Sequence, residues 1–134
     1  MSFADDFGEA DADLVELLER HAAAPGEVPR QLVLEALRGK RLLLPVVDVG
    51  QGELQGVVFT SADGRQGLPA FTSLAALQEW DPNARPLPQL VGFLARHCLK
   101  ERLSALLVDM ASPHRFAVQG IELAVVAVEP SANG

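Results

Sequence analysis

The chain has 134 residues, of which 49% are apolar and 22% charged, a balance typical of one globular domain with no room for a second core. Its net charge of −7 comes from seven acidic residues that precede the first basic residue, Arg20, because the remaining 11 acidic residues balance the 11 Lys and Arg. Without a basic excess to displace phosphate counterions, the chain is a poor candidate for a nucleic-acid-binding protein.

The beginning of the chain and its cysteine content indicate a compartment. The single cysteine, Cys98, cannot form an intramolecular disulfide, and the acidic start lacks the positive charge of a signal peptide. The longest apolar runs, such as 42–47 and 124–128, are far shorter than the roughly 20 residues that cross a bilayer. We therefore expect a cytoplasmic protein without a membrane contact.

An acidic leader and two helices are predicted first. Residues 1–11 are small and acidic without periodicity, which predicts a disordered leader. Apolar residues with helical spacing follow an acidic first turn, so we predict a helix over 12–23. After a break at Ala24-Pro25-Gly26, a second helix is predicted over about 28–38, ended by Gly39.

Three strands follow in the middle of the chain. Residues 41–50 are apolar and β-branched, which predicts a buried strand, and Pro45 within it indicates a sheet edge or a bulge. Two further strands are predicted over 57–60 and 67–71, with a turn at 62–64 between them. Consecutive strands with short turns predict an antiparallel β-meander.

Helices and strands alternate in the second half. Thr72 or Ser73 is suited to cap a short helix over 74–80. The other predicted elements are an extended segment at 85–88, a helix over about 88–101, strands over 104–109 and 116–118, and a helix over 121–128, whose valines also suit a strand. The fold class is α+β, with a mixed, largely antiparallel sheet, helices packed on it and a helical segment first. One domain over 12–128 is expected, with a flexible tail at 129–134.

Several of these segments resemble one family. They are Leu43-Leu44-Pro45-Val46-Val47, Phe59-Thr60 with Asp63-Gly64, Leu68-Pro69-Ala70-Phe71-Thr72-Ser73 with Ala76-Leu77 and Trp80, Leu106-Leu107-Val108-Asp109, and Ser112-Pro113. Together they resemble the N-terminal domain of the SseB type, named for enhanced serine sensitivity, over about residues 30–128. The resemblance implies a cytoplasmic bacterial domain of actinobacterial type and transfers no catalytic residue. Ser112 stands where family members commonly have glycine.

Two residue pairs invite a chemical interpretation. His97 and Cys98 are adjacent on a helix and so diverge by about 100°, which prevents them from chelating one ion. A buried, structural Cys98 and no metal or cofactor are therefore predicted. Asp109 and His114 could meet across the turn at Ser112-Pro113 as an oriented acid–base pair, although the nucleophile is missing. A plain Asp–His contact is the alternative.

Other short patterns have plain structural interpretations. Gly50-x-Gly52 lacks the third glycine, the lysine and the helix start of a phosphate-binding loop, so a turn is predicted. The repeated Phe-Thr-Ser at 59–61 and 71–73 predicts two inward-packing phenylalanines at strand ends. The basic cluster of Arg38, Lys40 and Arg41 complements the end of a helix, or docks an acidic partner or the chain's own leader.

Two functional hypotheses follow. The first is a non-catalytic protein-interaction or regulatory module with an unidentified partner or self-association, in which Leu14, Leu17, Leu18 and Trp80 contribute to the contact. The first helix lies outside the resembling stretch and precedes a hinge, which favours an appended docking element, unless its leucines complete the core. The second hypothesis is a small enzyme or ligand-binding domain around Asp109 and His114, which requires a cavity there.

Overall fold

A computed structural model describes residues 6–48, 50 and 54–128, with the backbone alone at 54–55. The first five residues of the acidic leader, the predicted turn at 51–52 and the predicted tail at 129–134 lie outside the described residues.

The described part of the chain forms five helices and seven strands. The helices are α1 (Ala12–Ala23), α2 (Arg30–Leu37), α3 (Leu74–Trp80), α4 (Val91–Lys100) and α5 (Glu122–Ala127). The strands are β1 (Arg41–Asp48), β2 (Leu54–Gly56), β3 (Phe59–Thr60), β4 (Gln66–Ala70), β5 (Arg85–Leu90), β6 (Ala105–Val108) and β7 (Phe116–Gln119). Most predicted elements are therefore confirmed within about two residues, including α5 at the ambiguous segment 121–128.

The strands form two sheets in an α+β fold, which confirms the predicted class. A three-stranded antiparallel sheet has the order β2-β1-β5, and a four-stranded mixed sheet has the order β3-β4-β6-β7. Its pair β4–β6 is parallel, and its other pairs are antiparallel. The sheets meet where Leu43 and Phe71 exchange two backbone hydrogen bonds, of 2.7 and 2.9 Å.

The predicted β-meander is wrong. Of the segment expected as one strand over 57–60, only Phe59–Thr60 form a strand, β3, and residues 57–58 connect it to β2, which belongs to the other sheet. The expectation that Pro45 marks a sheet edge is also wrong, because β1 is the central strand. The Pro45 carbonyl accepts from the Val57 N–H at 3.3 Å, just beyond the end of β2. Proline has no N–H to donate, and here it lies opposite a residue where the pairing of β1 with β2 has already ended.

One face of the four-stranded sheet carries the main core. Side chains alternate along the strands, and those of Leu68, Leu106 and Val118 point to the buried face. Helices α1, α2, α4 and α5 contribute to the same core, with Leu14 and Leu18 from α1. The acidic helix α1 therefore lies on the covered side of this sheet.

Local sequence explains where the helices begin. The Asp11 carboxylate accepts from the Leu14 N–H at 3.1 Å and caps α1, and the Ser73 hydroxyl accepts from the Ala76 N–H at 3.1 Å and caps α3. Of the two predicted caps for α3, Ser73 is thus the one used, which leaves Thr72 for another role.

Candidate functional site

Asp109 is the centre of a buried polar cluster at the carboxyl end of the parallel pair β4–β6. It directly follows β6, while Thr72 follows β4 two residues after that strand ends. One oxygen of Asp109 accepts from the Thr72 N–H at 2.8 Å, and the other accepts from the Thr72 hydroxyl at 2.6 Å. Asp109 is 1% exposed and has a φ of +50°, a conformation that Asp adopts more readily than most residues.

The predicted contact of His114 with Asp109 is present. The Nε2 atom of His114 lies 2.8 Å from the Asp109 oxygen that also accepts from the Thr72 hydroxyl. Ser112 donates its hydroxyl hydrogen to the Asp109 carbonyl at 2.9 Å and therefore closes the turn, a role that a glycine at this position could not fill. Ser112 is thus engaged with the backbone and not with His114.

The hydrogen bonds of Asp109 hold the loop that follows β6 in place. Both Asp109 oxygens have donors, so the carboxylate ties the turn at 109–114 to the end of β4. Arg41 extends the network, because its guanidinium donates to the Thr72 carbonyl at 2.9 Å. Neither Asp109 nor His114 lines any of five well-formed concave regions of the described surface.

The basic cluster after α2 holds the chain's own leader. Arg41 makes a two-pronged ion pair with Asp6, with contacts of 2.6 and 2.7 Å, and Lys40 pairs with Asp11 at 2.7 Å. Burial alone would raise the pKa of Asp6, but hydrogen bonds from the Gly8 N–H and from Arg41 outweigh it and lower the pKa below its ordinary value. Hydrogen bonds from Lys40 and the Leu14 N–H likewise lower the pKa of Asp11. Lys40 and Arg41 thus follow the docked-leader alternative, and Arg38 contacts Glu35 and the Val128 carbonyl.

Gly8 brings the leader against α3. Its carbonyl accepts from the Leu74 N–H at 2.8 Å, and a Cβ on Gly8 would lie 2.6 Å from that of Leu74. The mobility of residues 1–9 stays a prediction, which amide exchange tests: strong protection of these amides in the isolated protein would contradict it.

The face of the four-stranded sheet opposite the core carries a concave region, which we call the open sheet face. Its apolar lining consists of Phe59, Ala105, Leu107 and Ala117, and its polar lining includes Arg65, Gln66, Ser104 and Gln119. All of these residues belong to strands or to the segments beside them, and the region measures about 170 Å³. Phe59 is 39% exposed, so the prediction that both phenylalanines pack inward is wrong for Phe59 and holds for the fully buried Phe71.

Gly67 gives the open sheet face its shape. A Cβ on Gly67 would lie 2.7 Å from Cδ1 of Leu107, so only glycine lets the leucine lie across the strand. Leu107 is half-buried there and forms part of the floor of the concave region.

A second concave region, the inter-sheet cavity, lies between the two sheets and the end of α4 and measures about 460 Å³. Its apolar walls are Leu44, Val58, Leu68 and Leu103. Gln66, His97 and Glu101 supply its polar side chains. His97 therefore lines a cavity, which its pairing with Cys98 in the sequence gave no reason to expect.

Cys98 lies in the main core, as predicted. Burial raises the pKa of its thiol to about 12, so the reactive thiolate is scarce at neutral pH. Within the described residues, no group of three or more His, Cys, Asp and Glu side chains is arranged to hold a metal ion. None of the helices in that part of the chain combines the length and apolar composition of a membrane span.

The leucines of α1 lie inside the domain. Leu14 is 2% and Leu18 0% exposed, and Leu17 packs partly buried against the same core. Trp80 is half-buried, with its ring 5.5 Å from that of Phe71. The α1 leucines were expected either to form a docking surface or to complete the core, and Leu14 and Leu18 complete the core.

Comparison with known proteins identifies a family. The model of the SseB protein N-terminal domain matches residues 14–124, which run from α1 into α5 and include all seven strands of the described chain. The idea that α1 is an appended element outside the family domain is therefore wrong. No curated protein and no solved structure matches the chain.

Proposed function

Since the chain belongs to the family of SseB N-terminal domains, we propose from its geometry that it is a non-catalytic protein-binding module whose binding surface is the open sheet face. The observation that carries this proposal is an apolar depression built only from strands and their flanking segments, with the aromatic ring of Phe59 exposed beside it. Exposed aromatic side chains next to a depression are typical anchors of protein interfaces.

Charge narrows the class of partner. Among the described residues that line the open sheet face, Arg65 is the one with a full charge; its side chain is 70% exposed and pairs with Asp63 at 2.8 Å. The acidic residues of α1 lie on the opposite side of the same sheet. We therefore expect a partner segment with one large apolar side chain for the depression and an acidic group that shares the Arg65 guanidinium with Asp63.

The Asp109 cluster supports the non-catalytic part of the proposal. Its carboxylate is engaged by Thr72 and His114, and Ser112 is bonded to the backbone, so each polar group already has a structural role. The alternative, an enzyme or ligand-binding site around Asp109 and His114, needs a cavity that these residues line. The single buried cysteine suits a module of the reducing bacterial cytoplasm.

A peptide library displayed on phage tests the proposal directly, with three immobilised forms of the domain. Phe59→Ser removes the proposed anchor, and Phe93→Ser is the matched control because Phe93 is 51% exposed on α4. We expect enrichment of peptides with a large apolar residue close to Asp or Glu, which bind the wild type and the Phe93 variant but not the Phe59 variant. Peptides that bind all three forms equally, or a selection without a shared motif, would overturn the proposal.

Sedimentation velocity separates a distinct partner from a second copy of this chain. We expect the isolated domain to remain monomeric at micromolar concentration. A dimer that Phe59→Ser disperses would show that the open sheet face binds a second copy, contrary to the partner proposed here.

A further inference from the structure

We propose that the inter-sheet cavity is a binding site for a small organic cation with an apolar body. The volume of about 460 Å³ falls within the range of about 300–1,000 Å³ that small-molecule sites occupy. This inference rests on other observations than the proposed protein binding, because the cavity shares only Gln66 of its described lining with the open sheet face.

The cavity has the composition of a ligand site. Leu44, Leu68 and Leu103 belong to the edge of the main core or pack on it, and they give the cavity an apolar wall. In small-molecule sites, a small number of polar groups on an otherwise apolar wall fixes the orientation of the ligand. Here those groups come from β4, which contributes Gln66, and from the end of α4, which contributes His97.

The polar side chains of the cavity have capacity for a ligand. In the described part of the chain, no protein hydrogen bond engages the side chains of Gln66, His97 or Glu101. The amide of Gln66 and the imidazole of His97 can each accept a hydrogen bond, and the carboxylate of Glu101 accepts several. A ligand head group with several N–H donors suits this set of acceptors.

Charge favours a cation over an anion. Among the described residues that line the cavity, Glu101 carries the one full charge, and no Lys or Arg contributes to the lining. The cavity also lies at the carboxyl end of the ten-residue helix α4, which carries a partial negative charge. Both effects attract a positive head group, and the leucine walls accommodate the apolar body.

Three probes of one shape test the charge preference: benzylammonium, benzyl alcohol and benzoate, each titrated into the full chain and followed by amide chemical shifts. We expect benzylammonium to bind most tightly and benzoate least, with shifts centred on Gly56, Gln66 and Glu101. Equal affinity for the three probes, or shifts elsewhere, would overturn the proposal.

Variants then test the two halves of the site separately. Glu101→Gln should weaken benzylammonium binding about two- to fivefold, the range of an exposed ion pair, and leave benzyl alcohol unchanged. Gly56→Leu should abolish binding of both, because a Cβ at Gly56 meets only Leu44 Cδ2, at 3.8 Å, and a larger side chain fills the cavity. Glu79→Gln, an exposed change on α3, is the matched control. Unchanged binding in both cavity variants, with the fold retained, would refute the site.

Discussion

Arg30 and Glu122 close the outer edge of β7 as a neighbouring strand would. The guanidinium of Arg30 and the carboxylate of Glu122 form two parallel hydrogen bonds of 2.9 and 2.7 Å. Arg30 also donates to the Ala117 carbonyl at 2.6 Å, and Glu122 accepts from the Gln119 N–H at 3.1 Å. These two backbone groups point outward from the edge strand, where they would otherwise be open to pairing with another chain.

Removing this pair is expected to have a pH-dependent effect. Glu122→Gln should lower the free energy of unfolding at neutral pH by about 1 kcal/mol or less, because both side chains are partly exposed. The hydrogen bond from Arg30 lowers the pKa of Glu122, although burial opposes it. The stabilisation is therefore full above the ordinary pKa of 4.5 and disappears as the pH falls through the lowered pKa.

Urea unfolding of the wild type and of Glu122→Gln across this pH range measures the effect. Glu27→Gln, at an exposed position, is the control and should show no pH-dependent difference from the wild type. A difference between wild type and Glu122→Gln that grows as the pH falls would contradict the assigned role of the pair.

Asp109→Ala should destabilise the protein by roughly 2–5 kcal/mol. It leaves the buried N–H and hydroxyl of Thr72 without an acceptor and places alanine at a φ of +50°. Denaturant unfolding measures the loss, and Asp81→Ala, beside an exposed turn, should cost less than about 1 kcal/mol. An unfolding free energy that Asp109→Ala leaves unchanged would mean that the cluster is not structural.

Cys98 should react slowly with thiol reagents. Its buried thiol has a pKa raised to about 12, so a reagent that needs an accessible thiolate should modify the native protein at least about a hundredfold more slowly than the urea-unfolded chain. Timed labelling followed by mass spectrometry measures both rates. Rapid labelling of the native protein, or stoichiometric zinc after purification, would contradict a structural role.

Leu18→Ala should cost about 2–5 kcal/mol, because Leu18 is completely buried between α1 and the rest of the core. The same substitution at Leu32, which is 49% exposed on α2, should cost far less. Thermal or urea unfolding of the two variants decides whether α1 is part of the domain. Equal stability of both variants would contradict the core assignment, and deletion of residues 1–24 with no loss of stability would contradict it further.

Local sequence signals predicted the elements well, since periodicity located α1 and a polar cap located the start of α3. The division of the β-rich segment into two sheets was not predictable in the same way. Val57 and Val58 have strand propensity, and nothing in their pattern shows that the chain leaves one sheet there for another. Sheet membership depends on long-range pairing, such as that of β4 with β6, which local patterns do not encode.

The candidate sites show the same difference. Asp109 and His114 lie five residues apart on either side of a proline turn, so their contact was predictable from spacing. The open sheet face and the inter-sheet cavity combine residues from segments far apart in the sequence, such as Phe59 with Ala117. Their existence became evident only from the assembled sheets.

The open sheet face is tested most directly by calorimetric titration of one selected peptide into three forms of the domain. We expect Phe59→Ser to weaken binding at least about tenfold, as for an interface anchor, and Phe93→Ser to change it less than about twofold. Peptide binding that Phe59→Ser leaves intact, or that both substitutions weaken equally, would contradict the assignment of the open sheet face as the binding surface.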